Sequence, residues 1–352
     1  SCNTSQTVVG ITNFLESAKA TNTPVALTLD PVQFWYEAAL WQWYDTNQSG
    51  YDPANVDNVE WTSWSNETAT KLAWRDWGSQ FRLPTPQPNL ASRKLLDLTC
   101  SVLHDVVVAI KTWYERQSPA VQDLLVGIKL GEEVDVGANF YFYPNGNEIY
   151  DAHPDDPSFD PTTGADWSKG LAGGLQPLGY NMLCSANIRC SGGPPTRQEM
   201  ALGVGHWFNA TLHAAMGAWP ELGNRDLLVA HAGHVSDPLL CPWTTPMVTP
   251  AIPAYSFYPG KGQAIGQPSL GAALEGYDHL HHRLVAGEFF CLGCGDETSW
   301  FSAFTALYHN SYGHIKYASI YNLDAFLSSP GATSALNLFI QNYTHTKKWR
   351  QE

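Results

Sequence analysis

The chain has 352 residues, a formal net charge of −14 and only 15% charged residues against 44% hydrophobic ones. Phosphate backbones and anionic lipid surfaces select clustered Lys and Arg, so this balance excludes both nucleic acid and an anionic membrane surface as expected partners. No run approaches the ~20 apolar residues that span a bilayer, so no membrane insertion is expected.

A length of this order suits one (β/α)8 TIM barrel with long βα loops, a single domain over 1–352. The 14 Trp, 16 Tyr and 14 Phe offer aromatic planes to the apolar C–H faces of sugar rings, and they are equally good core material. A start at Ser1-Cys2 is what removal of a secretory leader would leave. Asn-x-Ser/Thr sequons at Asn3, Asn47, Asn66, Asn209 and Asn342 are expected glycosylation sites, and they favour a secreted, extracellular glycoprotein. Seven cysteines are present, among which the close pair Cys184 and Cys190 is expected to form a disulfide around a short loop. The odd count leaves at least one thiol free or bridged between chains.

In chain order, the apolar run 7–11 counts as a first strand, and a helix-like stretch to about residue 20 follows it. Residues 24–30 read as a second, buried strand. An aromatic-rich insertion over about 33–82 closes on 81–83, a candidate third strand. Asn89 or Ser92 caps the next helix, whose apolar positions Leu95, Leu98, Val102, Val106, Ala109, Ile110 and Trp113 recur at intervals of three and four. A fourth strand, 124–130, runs straight into Gly131-Glu132-Glu133. A polar loop fills about 145–174, and a helical region over 179–219 is interrupted by a Gly-Gly-Pro-Pro turn. Residues 227–231, 255–258, 284–290 and 315–321 read as the remaining strands, with a helix carrying Trp300, Phe301, Phe304, Leu307 and Tyr308 before the last of them. A final helix covers about 335–343. Continuous apolar runs separated by helices are the pattern of buried parallel strands, and eight of them close a barrel.

Barrel active sites gather at the C-terminal strand ends. Two apolar strands here carry carboxylates, the fourth at Glu132-Glu133 and the seventh at Glu288. A carboxylate beside buried strand residues is costly unless it is paired or used; the plain alternative is a salt bridge at the barrel mouth. Glycosidic cleavage needs one carboxyl to protonate the leaving oxygen and a second to attack the anomeric carbon or activate water. No Gly-x-Ser-x-Gly elbow is present for a serine hydrolase. The stretch Asp278-His-Leu-His-His282, with His231 and His234, holds zinc-ligand types but no His-Glu-x-x-His pattern. No metal and no cofactor is expected. Cys291-x-x-Cys294 has redox or zinc spacing, yet no second pair accompanies it.

The segment Leu284-Val-Ala-Gly-Glu-Phe-Phe290 resembles the seventh-strand nucleophile segment of cellulase-type glycoside hydrolases of clan A, and the strand-four glutamate fits the same pattern. The resemblance spans the order of segments from about 120 to 325. It implies a retaining hydrolase of a β-linked glycan, with Glu288 as nucleophile and Glu133 as general acid/base. That clan usually carries Asn before its acid/base, where this chain has Glu132; either Glu132 or Glu133 can therefore be the inward one, and Glu133 is preferred. Its sixth-strand Tyr corresponds to Tyr255 or Tyr258, and its eighth-strand Trp platform is replaced by Tyr321. Glu297 is a rival nucleophile, better placed at the start of the following helix. Trp35, Trp61, Trp64, Tyr141, Tyr143, Trp243, Tyr258 and Tyr321 are the subsite candidates, with His231 and His234 as donors to sugar hydroxyls. The sparse Lys and Arg favour a neutral oligo- or polysaccharide as partner. The competing reading is an inactive barrel that binds carbohydrate or serves as an extracellular structural glycoprotein.

Overall fold

A computed structural model describes residues 4–30, 38–71, 73–76, 80–83, 86–134, 140–141, 178–232, 248–257, 284–310, 315–320 and 322–344. They fall into two compact units, the first reaching residue 232 and the second starting at residue 248. Both are mixed α/β, and each holds parallel strands.

The first unit opens with helix α1 (Thr4–Thr21). The run 7–11, expected as a first strand, is part of this helix. Its less exposed side chains, Val8, Ile11, Leu15 and Ala18, recur at three- and four-residue steps, while Val9 is 58% exposed. A helical face with something to pack against outweighs the weak strand preference of β-branched residues. The indole N–H of Trp113 fixes the partner, donating to Glu16 Oε1 at 2.6 Å.

Strand β1 (Val25–Leu29) pairs in parallel with a later strand, 125–134, which pairs in parallel with 228–232. Leu27, Ile128, Leu130, Leu228 and Val229 on these strands are buried, as expected of parallel strands covered on both faces. Between β1 and that partner come the short helix α2 (Ala38–Trp41) and strands β2 (Ala73–Asp76) and β3 (Gln80–Leu83). Helix α3 (Arg93–Glu115) starts at Ser92, whose Oγ accepts the N–H of Leu95 at 3.3 Å. It buries Leu95, Thr99, Leu103, Val106, Ile110 and Trp113 along one face. The single turn α4 (Pro119–Gln122) then leads into β4 (Leu125–Val134), and β5 (Phe140–Tyr141) follows.

The candidate third strand, 81–83, is not a member of the parallel set. Within β3 it pairs antiparallel with β2, which pairs antiparallel with β5 on its other edge. Only residues 77–79 separate β2 from β3, and so short a link joins antiparallel strands, because a parallel crossover needs a dozen residues or more.

Helices α5 (Tyr180–Ser185) and α6 (Arg197–Ala218) complete the unit before β6 (Leu228–Ala232). A capping box starts α6: Thr196 Oγ1 accepts the Glu199 N–H at 3.2 Å, and Glu199 Oε2 accepts the Thr196 N–H at 2.8 Å. Helix α6 packs on α3 and on β4.

The second unit contains β7 (Thr249–Phe257), β8 (Leu284–Leu292) and β9 (Ile315–Ile320), parallel in that order. Strand β7 is longer at its start than the expected 255–258, because Pro250 and Pro253 read as strand breakers. Pro253 is tolerated at a register shift against β8. Helices α7 (Glu297–Asn310), α8 (Leu323–Ser328) and α9 (Ala332–Thr344) supply the remaining core, in which Trp300, Phe304 and Phe326 pack with Phe289 of β8. Among the described residues each unit holds three parallel strands, and the expected closed eight-stranded barrel is not seen among them. No described helix is long and apolar enough to cross a membrane.

Gly331, just before α9, has φ +73°, and a Cβ there would run into the backbone of Asp296 and Glu297 at the start of α7. Gly331→Ala is therefore expected to destabilise the protein by about 1–3 kcal/mol, read as a lower urea midpoint. An unchanged midpoint would show that the two helix starts can separate without cost.

Candidate active site

Glu132 and Glu133 lie inside β4 rather than beyond its end. The register against β6 explains their setting. Leu130 pairs with Ala230 and Val134 with Ala232, so β4 spends four residues where β6 spends two. Three residues, Gly131, Glu132 and Glu133, thus stand opposite the single His231, a surplus of two. Gly131 starts this bulge with φ +74°, and a Cβ on it would meet the His231 carbonyl oxygen at 3.1 Å and the Phe208 ring at 3.4 Å. The glycine is thus required both by conformation and by close approach.

Glu288 stands at a second bulge. On one side Ile252 pairs with Ala286 and Pro253 with Glu288; on the other, Ala286 pairs with Ala318 and Phe289 with Ile320. Strand β8 therefore carries an extra residue around Gly287-Glu288 against both neighbours. Glu288 is only 5% exposed, between Val285, Ala286 and Phe289 that are fully buried. Bulges re-aim side chains out of the two-residue alternation and are over-represented beside active sites. Both candidate carboxylates lie on such bulges.

Glu297 is the first residue of α7, as its neighbours suggested. Asp296 caps that helix, accepting the Ser299 N–H at 2.8 Å. The Ser299 hydrogen bonds hold the Asp296 carboxyl below the usual range. Glu297 accepts a short hydrogen bond from Ser334. These are roles in holding helix ends.

His231 on β6 is fully buried, and neither ring nitrogen has a hydrogen-bond partner among the described residues. Burial, and then the positive charge of the buried Lys129 on the neighbouring strand, lower its pKa well below the ordinary histidine value. The ring is accordingly neutral, with one donor and one acceptor nitrogen. Trp64 donates its indole N–H to the carbonyls of Gly192 (2.8 Å) and Gly193 (3.2 Å), and the Arg189 guanidinium lies 4.7 Å from its ring centroid. Arg189 also pairs with Glu199 at 2.7 Å, holding the Glu199 carboxyl down to about 2. Cys184 and Cys190 are bridged within this same loop, with Cα atoms 4.5 Å apart, and Cys291 is bridged to Cys294 at 5.6 Å. Cys100 is a free thiol.

Trp61 is partly buried and donates its indole N–H to the Val56 carbonyl at 3.0 Å. Tyr141 lies in β5 opposite Trp74, and Tyr255 in β7 opposite Phe290. Trp35, Tyr143, His234, Trp243, Tyr258 and Tyr321 lie outside the described residues, as do the 278–282 histidines, the 145–174 loop and Asn3. Asn47, Asn66, Asn209 and Asn342 are all exposed.

One charged group escaped sequence reasoning altogether. Glu60 is fully buried, and its two carboxylate oxygens accept the backbone N–H of Gly179 at 2.9 Å and of Met182 at 3.0 Å, capping α5 from another part of the chain. Burial pushes its pKa up to about 8, while the N–H groups of Gly179, Met182, Asn181 and Trp61 pull it down. The α5 N–H groups that it caps are more than a hundred residues away, so no local pattern could have announced that role.

No protein-family model matches the chain, and no curated protein sequence matches it. Among solved structures the chain is similar to a GH5-4 broad specificity endoglucanase from an uncultured bacterium, with a TM-score of 0.37 and 10% sequence identity. The match covers 72% of this chain and spans 64% of that enzyme's length.

Proposed function

We propose that the protein is a secreted glycoside hydrolase that cleaves a β-linked, neutral glycan with retention of configuration, using Glu133 and Glu288. One observation carries the reading: in each unit a buried parallel strand bulges where it carries a candidate carboxylate. Glu288 attacks the anomeric carbon while Glu133 protonates the leaving oxygen, giving a glycosyl-enzyme ester; Glu133 then takes a proton from the incoming water. Two bridged cysteine pairs and four exposed sequons accord with export.

The test is hydrolysis of a panel of aryl β-glycosides and neutral polysaccharides, with the product anomer read by proton NMR at early times. A β-anomer released first supports the double displacement. An α-anomer first would require an inverting arrangement of the carboxylates. A second reading, a carbohydrate-binding protein without hydrolysis, is favoured by the burial of Glu288. It prevails if the panel is bound and nothing is cleaved.

A further inference from the structure

The first unit carries a cleft of about 760 Å³ between the 3-10 turn Pro53–Asn58, the first turn of α3 and helix α5. None of these elements is a strand end, and the volume lies within the ~300–1,000 Å³ of small-ligand pockets. Its floor is a set of buried amides whose hydrogen bonds are made inside the protein. Asn58 donates to the Leu40 carbonyl at 3.1 Å and accepts Ser92 Oγ at 2.6 Å. Asn181 donates to the carbonyls of Asp57 (3.0 Å) and Val59 (2.7 Å). The Cys184–Cys190 bridge ties one wall to the following loop. The floor is thus fixed before any ligand arrives and has few polar atoms left to offer.

The walls supply what a ligand meets. Trp61 has already given its indole N–H to Val56, so it presents only ring surface to the cleft. Asp52 and Asp57, both exposed, add carboxylate acceptors beside it. An apolar plane flanked by acceptors complements a molecule with a C–H face rimmed by hydroxyl donors. The lining also holds Arg93, paired with Asp97 at 3.6 Å, and Lys94, whose ammonium donates to the Ala39 carbonyl and to Asn55 Oδ1, so the cleft is close to charge balance and suits a neutral ligand.

We infer that this cleft, whose lining includes no residue of the bulged strands that carry Glu133 and Glu288, binds a neutral pyranose unit of an oligosaccharide. The inference rests on the carbohydrate reading above and extends it to a second place on the molecule. Its test is calorimetric titration with hexaoses of β-1,4-glucan, β-1,4-mannan, β-1,4-xylan and β-1,3-glucan, on native protein, Trp61→Ala and Asp57→Ala. At least one hexaose is expected to bind, with affinity reduced about tenfold or more in Trp61→Ala and severalfold in Asp57→Ala. Asp57 is exposed, so its variant decides the matter should Trp61→Ala fail to fold. The inference is overturned if no hexaose binds, or if the folded Trp61 and Asp57 variants bind as tightly as native protein. Hydrolysis with binding indifferent to both residues would remove the cleft and keep the hydrolase; Trp61-dependent binding without hydrolysis would do the reverse.

Discussion

Glu60→Ala will lower the unfolding free energy by about 3–5 kcal/mol, a large fraction of the stability of an ordinary domain. The substitution removes the acceptors for the Gly179 and Met182 N–H groups and leaves those donors buried. It also uncaps α5, whose start at Gly179 has φ +98° and no other side-chain cap. Glu60→Gln keeps one carbonyl acceptor but turns an amide N–H₂ toward a backbone donor, so it should cost about 1–3 kcal/mol. The pH dependence gives an independent reading. With a folded pKa of about 8 against an ordinary carboxyl near 4.5, the folded protein holds a proton that the unfolded chain has released. The Glu60 contribution to stability is thus full below pH ~4.5, declines as pH rises, and levels off above ~8, a span of a few kcal/mol. Urea melts of native protein and Glu60→Gln from pH 5 to pH 9 check both points. The variant should lose that slope. A native protein whose stability rises over this interval would mean that the four N–H groups hold Glu60 ionised.

Glu288→Gln is expected to reduce hydrolysis of any cleaved glycoside by about 10²–10⁴-fold or more, because an amide cannot form the glycosyl ester. Glu133→Gln should differ in kind. Its loss should be severe for substrates with poor leaving groups and much smaller for dinitrophenyl glycosides, whose departure needs little protonation. Glu132→Gln separates the adjacent glutamates: if Glu133 is the acid, this variant keeps its rate within a few-fold. A large leaving-group dependence in Glu132→Gln instead would transfer the role to Glu132. Full activity in Glu288→Gln would remove the nucleophile assignment altogether.

Much of the local structure was legible in the sequence. The 3–4 spacing of Leu95, Val106, Ile110 and Trp113 marked α3, and Ser92 marked its cap. The apolar runs before Glu132 and around Glu288 marked β4 and β8, and the six-residue spacing of Cys184 and Cys190 marked their bridge. The failures share a cause. The run 7–11 has strand-like composition, yet α1 is set by what its Leu15 face packs against. Strand β3 looked like one more parallel strand, and only its pairing with β2 showed otherwise.

By itself, the sequence determined the helices, the buried strands, the excess of acidic charge and the presence of carboxylates where apolar strands should have none. These are properties of spacing and composition, and hydrophobic burial reads them directly. Tertiary structure alone decided the register, and with it the two bulges on which Glu132, Glu133 and Glu288 lie, since a bulge is a count of residues on one strand against its neighbour. It also decided that Glu60 closes α5 and that Trp61 walls a cleft, because both depend on residues brought together from more than a hundred positions apart.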